Sequence, residues 1–330
     1  MATHSIASPC HEVVPDRAHP VVWTGPDDPR DVDHLIRWCQ TVGSVVVESP
    51  AGTAAPAIAD RLAIITWNVH VGGGDIEAII SALQRGEFTG GTAVPEFVLL
   101  LQEAYREGSD VPARVPAGSP LPRPIVERPP SGIRRDVRSI AARAGLHLFY
   151  APAMRNSGAE ASAGREDRGT AILSTLPLAE LQVIELPFER QRRVALAASV
   201  AGRTSAAAAW QLRLANVQID TALALTRGGP IAARRRQAEA LIEALGSAPM
   251  VLGGDFNTWL GNKEPAVGVM RRAFPTTPPA GNIATWRGPL GAHAPLDHAF
   301  VRGRFRSVAT ERLRGRFGSD HYPLLTLVDF

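Results

Sequence analysis

Lysine is almost missing from this chain: Lys263 is the only one, and the other basic residues are arginines. With 35 Lys+Arg against 32 Asp+Glu, the net charge is only +3. An excess that small does not by itself establish nucleic-acid binding. A GC-rich coding sequence produces the same arginine bias, although arginine forks also suit phosphate oxygens. Cysteine is scarce too. Cys10 and Cys39 are the only pair, which excludes a disulfide framework and any metal-type Cys spacing. Two free thiols are expected, a single bridge being the alternative. No apolar run reaches the length of a membrane-spanning helix. The first thirty residues carry His4, His11, Glu12, Asp16 and Arg17 and no apolar core of a secretory signal, so a cytoplasmic location is expected. Internal repeats are absent.

What is present is a globular composition, 45% apolar and 20% charged over 330 residues, enough for one large domain or two ordinary ones. Residues 1–22 read as irregular. Asp28-Pro29 reads as an N-cap followed by proline in the first turn, opening a helix from Arg30 that Gly43 ends. Val45-Val46-Val47 suggests a short strand, and residues 50–60 a linker. The chain therefore divides into an N-terminal extension, 1–60, and a main domain, 61–330. Apolar strand-like runs then recur at Leu62–Trp67, Phe97–Leu101, His147–Tyr150, Thr170–Ser174, Leu181–Leu186, Val194–Val200, Gln211–Val217, Met250–Leu252, His298–Val301 and Leu324–Val328. Helical spacing covers Ile76–Leu83, Val137–Ala144 and Ile231–Leu245. The proline-rich stretch 106–131 reads as a long loop. Strands outnumber helices, which predicts a mixed-sheet α+β fold with helices outside.

Polar residues cluster at the ends of these strands. Asn68 follows Ile64-Ile65-Thr66-Trp67, and Glu103 follows Val98-Leu99-Leu100-Leu101-Gln102. Asp255 and Asn257 follow Met250-Val251-Leu252. Asp297 precedes one strand, and Asp320 and His321 precede the last. Strand ends on one rim pool such groups in a single cleft. Carboxylates beside an amide and an imidazole are equipment for holding a hard divalent cation, activating water and contacting phosphate.

The ordered strings WN, LQE, RGTAILS, NVQID, GGDFN, LDHAF and SDHYPL resemble the endonuclease/exonuclease/phosphatase superfamily over about residues 61–330. GGDFN and SDHYP are the specific signals. The resemblance implies a DNase I-like four-layer α/β/β/α sandwich of two mixed sheets, and metal-dependent phosphoester hydrolysis. It implies that Glu103 binds Mg²⁺ or Mn²⁺, assisted by Asn68 and Asp320. Asp255 would orient or deprotonate the attacking water, and Asn257 would hold that water or a phosphate oxygen. His321 would donate to the developing negative charge, with Asp297 fixing its tautomer. Arg168 would pin a phosphate, Asn216 would bind the substrate, and Trp259 or Trp286 would stack on a base or sugar.

One departure stands out. Related sequences carry a pattern like N-x-H-L where this chain has Asn216-Val217-Gln218-Ile219-Asp220; Gln218 would still bind a phosphate oxygen or the leaving group in the catalytic site, but glutamine is not a general acid. His70 or Tyr105 is a candidate to compensate. A phosphodiester is the expected substrate, nucleic acid first, on a monomeric protein. Lipid or small-molecule esters are the alternative, and a weakened phosphate- or protein-binding module is the rival from another class. Arg312, Arg314 and Arg316 would share one face if they stood on a strand.

Overall fold

The computed structural model describes residues 13–14, 20–26, 28–52, 57–120, 133–156, 164–221, 228–279 and 282–330. In chain order the elements are β1 (Val13–Val14), β2 (Val22–Thr24), α1 (Pro29–Cys39), β3 (Val45–Glu48), β4 (Arg61–Asn68), α2 (Ile76–Gln84), β5 (Phe97–Glu107), α3 (Val137–Ala144), β6 (His147–Arg155), β7 (Glu166–Ser174), β8 (Ala179–Glu185), β9 (Val194–Arg203), β10 (Ala209–Gln218), α4 (Pro230–Leu245), β11 (Met250–Asp255), α5 (Pro265–Ala273), β12 (Trp286–Arg287), β13 (His293–Ala294), β14 (Asp297–Arg302), β15 (Ser307–Arg312) and β16 (Leu324–Asp329). One sheet runs β1-β3-β6-β7-β5-β4-β16-β15 and the other β14-β11-β10-β9-β8-β2, with β12-β13 a separate hairpin.

Side-chain alternation explains the layering. In β4, Leu62 and Ile64 point into the core between the sheets, and Ala63, Ile65 and Trp67 point outward beneath α2 and α3. In β11, Val251 enters the inter-sheet core while Met250 and Leu252 pack under α4 and α5. Both strands are buried on both faces, so they read as continuous apolar runs. The result is the four-layer α/β/β/α sandwich of mixed sheets.

The N-terminal residues add strands to both sheets: β2 pairs with β8, and β3 pairs with β6. The Asp28 side chain caps Arg30 N at 2.9 Å, and Trp38 joins the inter-sheet core. The stretch 1–22 is therefore not irregular throughout: β1 lies within it and β2 begins at Val22. In the expected linker, Ala59 N donates to Arg203 O at 2.7 Å, and residues 53–56 lie outside the described set. So do 121–131 of the expected long loop, and Cys10. Cys39 is disulfide-bonded, which corrects the expectation of free thiols. Its place in a buried face of α1 shields it from solvent. Arg312 ends β15, while Arg314 and Arg316 lie beyond it. The three do not share a strand face; Arg312 and Arg316 instead stack on Tyr322, at 4.3 and 5.9 Å from its ring.

Candidate active site

Parallel pairing of β4 with β5 and of β10 with β11 brings Asn68, Glu103, Gln218 and Asp255 to one rim. Glu103 sits on a bulge where the β5–β7 register shifts between Leu101 and Ala104. Its φ of 53° is a left-handed conformation that costs a non-glycine residue about 1–3 kcal/mol. The bulge breaks the two-residue alternation and turns the carboxylate to the cleft. Beneath it, Gln102 Nε2 bonds Thr66 Oγ1 at 3.0 Å and Asn216 Oδ1 at 2.7 Å, bolting the two sheets together.

Asn216 completes that bolt. Its Nδ2 donates to the carbonyls of Leu101 and Ala171, both at 2.8 Å, and the residue is fully buried. This corrects its assignment to the substrate: both donors are spent inside the core. The hydroxyl of Tyr105 donates to Glu107 at 3.2 Å, so it does not replace the missing imidazole either.

The remaining groups form a connected network. Asp255 Oδ2 accepts from Asn68 Nδ2 at 3.0 Å and from Gln218 Nε2 at 3.2 Å, while its Oδ1 accepts from Asn257 N at 3.0 Å. Gln218 Nε2 also donates to Glu103 Oε1 at 2.9 Å, and Gln218 Oε1 accepts from Arg193 at 2.7 Å. Asn257 spends one side-chain N–H on Ile219 O at 3.1 Å. Across the cleft, His321 Nδ1 bonds Asp297 Oδ2 at 2.8 Å. The ligand atoms of Asp255, Asp297 and His321 lie within 4.8 Å of one another. Trp67 is core, as expected, and its Nε1 donates to His321 O at 3.1 Å.

A second imidazole–carboxylate pair stands beside this one. His70 Nδ1 bonds Asp320 Oδ1 at 2.8 Å, and Trp286 Nε1 donates to Asp320 Oδ2 at 2.9 Å. Both Asp320 oxygens are thus engaged, which ties Asp320 to His70. Arg168 is buried and donates to Asn156 Oδ1 at 2.5 Å. Trp259 is 41% exposed at the rim and meets Trp286 edge-on at 5.2 Å.

Electrostatics sort these groups. Burial, then the charge of Asp297, pushes the Asp255 carboxyl up to about 6. Burial alone would pull His321 down, but the charge and hydrogen bond of Asp297, with Asp255 and Asp320, outweigh it and push the imidazole up to about 10. Burial would raise Glu103, yet Arg168 and the Gln218 hydrogen bond hold it below the usual range. Burial lowers Arg168 to about 10. The sequence reading missed Arg193 altogether. It lies at the mouth of β9 with no motif around it; only an unusually buried Arg192-Arg193 pair marks the place, and burial is not visible in sequence.

Fold and pocket together define a DNase I-like sandwich with an acid–amide–imidazole cluster at one rim. The family model for the Endonuclease/Exonuclease/phosphatase family matches residues 65–321, and the chain belongs to that family. Among solved structures, an endonuclease/exonuclease/phosphatase from Beutenbergia cavernae is 18% identical, with a TM-score of 0.53, covering 82% of this chain and 72% of that one. A family protein from Leptotrichia buccalis is 13% identical, with a TM-score of 0.49 and coverage of 82% and 100%. The AP endonuclease of Leishmania major is 15% identical, with a TM-score of 0.43 and coverage of 92% and 100%. A search of curated protein sequences finds no match.

Proposed function

We propose that this chain is a metal-dependent phosphodiesterase working by in-line attack of water. The observation that carries the reading is the Asp255–Asp297–His321 cluster, in which one carboxylate is pushed toward neutrality and the imidazole away from it. Environments that separate the pKa values of neighbouring groups assign the base and the acid.

Asp255, at about 6, is ionised at neutral pH yet basic enough to accept a proton from water. Asn68, Gln218 and the Asn257 amide fix its two oxygens, so it meets the water in one orientation. Asn257 keeps a second side-chain N–H for a phosphate oxygen or the water. His321 is protonated at neutral pH and donates to the non-bridging oxygen as charge builds there. Asp297 holds Nδ1 of His321, leaving Nε2 to face the substrate. Its own Oδ1 is buried without a protein partner.

The donor set suits a hard cation. Glu103 offers an oxygen, Oε2, that makes no hydrogen bond among the described residues, and Asn68 adds an amide oxygen. Mg²⁺ or Mn²⁺ held by Glu103 and Asn68, with Asp320 close by, would supply Lewis-acid polarisation of the phosphoryl group. Arg168 reinforces that corner electrostatically, since its charge favours the ionised form of Glu103. Nucleic acid is the substrate expected from the sequence. The Cys39 disulfide favours an oxidising compartment over the cytoplasm, and no helix among the described residues is long and apolar enough to cross a membrane.

The test is turnover of bis(p-nitrophenyl) phosphate with Mg²⁺ or Mn²⁺, with and without chelator. Chelator-sensitive hydrolysis is expected, and Glu103→Gln or His321→Ala lowers it by orders of magnitude in a folded protein. A wild-type protein inert under every metal, yet still binding phosphate ligands, would instead support a binding module.

A further inference from the structure

Residues 186–193 join β8 to β9 without regular structure, yet they deliver Arg193 to the cleft. A loop with no ladder of its own keeps a side chain in place only through partners outside it. Its far end is anchored by Arg192, which is buried and donates to Pro152 O at 2.6 Å and Glu185 Oε2 at 3.0 Å. Arg193 is gripped differently. Its Nη1 donates to Gln218 Oε1 at 2.7 Å and its Nη2 to Gln191 Oε1 at 3.2 Å, while Nε has no hydrogen-bond partner among the described residues. Gln191 is therefore the second half of the grip on the guanidinium.

Gln191 belongs to the part of the loop that other elements hold. Asp220 Oδ2 accepts from Arg190 N at 2.9 Å and Gln191 N at 3.3 Å. From α4, Gln237 donates to Pro187 O at 2.9 Å, and Arg236 meets Glu189 through two bonds of 2.7 Å. The intervening Phe188 is held by α1, in the N-terminal extension. Asp31 Oδ2 accepts from Phe188 N at 3.2 Å. The Phe188 ring stacks on His34, with centroids 4.5 Å apart and planes 10° apart, and leans on Trp38 at 6.3 Å. Leu35, Trp38 and Cys39 form the buried face of α1. His34 is exposed and Asp31 half-buried, so their contacts serve the loop more than the packing of the helix.

We infer that α1 is a positioning element of the cleft. Through Phe188 it sets the loop that carries Gln191 and Arg193, and so the orientation of the Gln218 amide toward Glu103 and Asp255. The effect on turnover rests on the proposed hydrolysis; the setting of the loop does not.

Asp31→Ala with His34→Ala removes both contacts and leaves the buried face of α1 intact. Amide hydrogen exchange at Phe188, Arg190 and Gln191 should quicken on the order of tenfold, with exchange in β4 and β11 unchanged. For bis(p-nitrophenyl) phosphate at fixed metal, kcat should fall about three- to tenfold with KM unchanged. That is less than removing Arg193 itself, because Asp220 and α4 still hold the loop. Asp31→Asn with His34→Phe keeps an acceptor and a ring, and should restore both exchange and rate. In an Arg193→Ala background the double alanine should cost no further rate, since the group it acts through is gone. Unchanged exchange in the double-alanine variant overturns the inference, as does quickened exchange with unchanged kcat. So does a rate loss that appears only in KM, that the conservative pair fails to restore, or that adds in full to that of Arg193→Ala. A wild type inert under every metal sinks the hydrolysis instead; exchange then decides the loop setting by itself, and quickening that the conservative pair reverses upholds it.

Discussion

Removing the Arg193 guanidinium should damage the site through a residue that touches no substrate. Arg193 has only donors, so Gln218 must turn its oxygen toward it, and the two meet at 2.7 Å. That forces the Gln218 NH₂ toward Glu103 and Asp255, 2.9 and 3.2 Å away. The amide orientation is thus fixed from both sides. In Arg193→Ala the oxygen loses a charged partner in a site only 6% exposed. A hydrogen bond to a charged group contributes about 1.5–3 kcal/mol. If the loss is felt fully in the transition state, kcat/KM falls by roughly 10- to 150-fold. Arg193→Lys keeps the charge without the fork and should recover part of the rate. The assay is kcat and KM for a soluble phosphodiester at fixed metal, with a denaturation curve for each variant. The drop should lie mainly in kcat, because the amide positions Asp255 rather than the substrate. A folded Arg193→Ala with unchanged kcat would refute the reasoning.

Three further outcomes follow from the geometry. Gln218→His should give no gain in rate, because one imidazole nitrogen cannot replace an amide that donates to two carboxylates; a rise on the order of tenfold would show that a lost catalytic group had been restored. Burial lowers His298 from 6.5 to about 4. Its folded-state value lies below its unfolded one, so stability is full above about pH 6.5, declines as pH falls toward 4 and then levels; the loss is about 3 kcal/mol. Denaturation midpoints at pH 7 and 4.5 should converge in His298→Asn, and an unchanged pH slope in that variant would contradict the assignment. Reductant should lower the melting temperature through the disulfide at Cys39, since the cross-link restricts the unfolded chain; no shift would argue against it.

The strands of the sandwich were legible because those buried on both faces must be apolar along their whole length, as in Leu62–Trp67 and Met250–Leu252. The half-exposed edge strand β15 was not read, because its pattern of alternating exposure is carried by Ser307, Ala309, Glu311 and a few partly buried partners. Helix α5 was also missed: Gly268 and two terminal arginines dilute a short apolar face. Motif residues at strand ends could be placed on one rim because sheet pairing fixes where strands end. What each does there depends on partners from distant segments. Asn216 stands inside a motif, yet it is a core bolt. Arg193 stands outside every motif, yet it sets the orientation of Gln218. The Glu103 bulge arises from a register shift against β7, which the local string Leu101-Gln102-Glu103 does not encode.

The most direct measurement is the rate of Asp255→Asn on bis(p-nitrophenyl) phosphate at saturating Mg²⁺, with circular dichroism to confirm folding. A base at the centre of the converged pocket predicts a fall of about 10²–10⁴-fold. A folded variant within a few-fold of wild type would contradict the account.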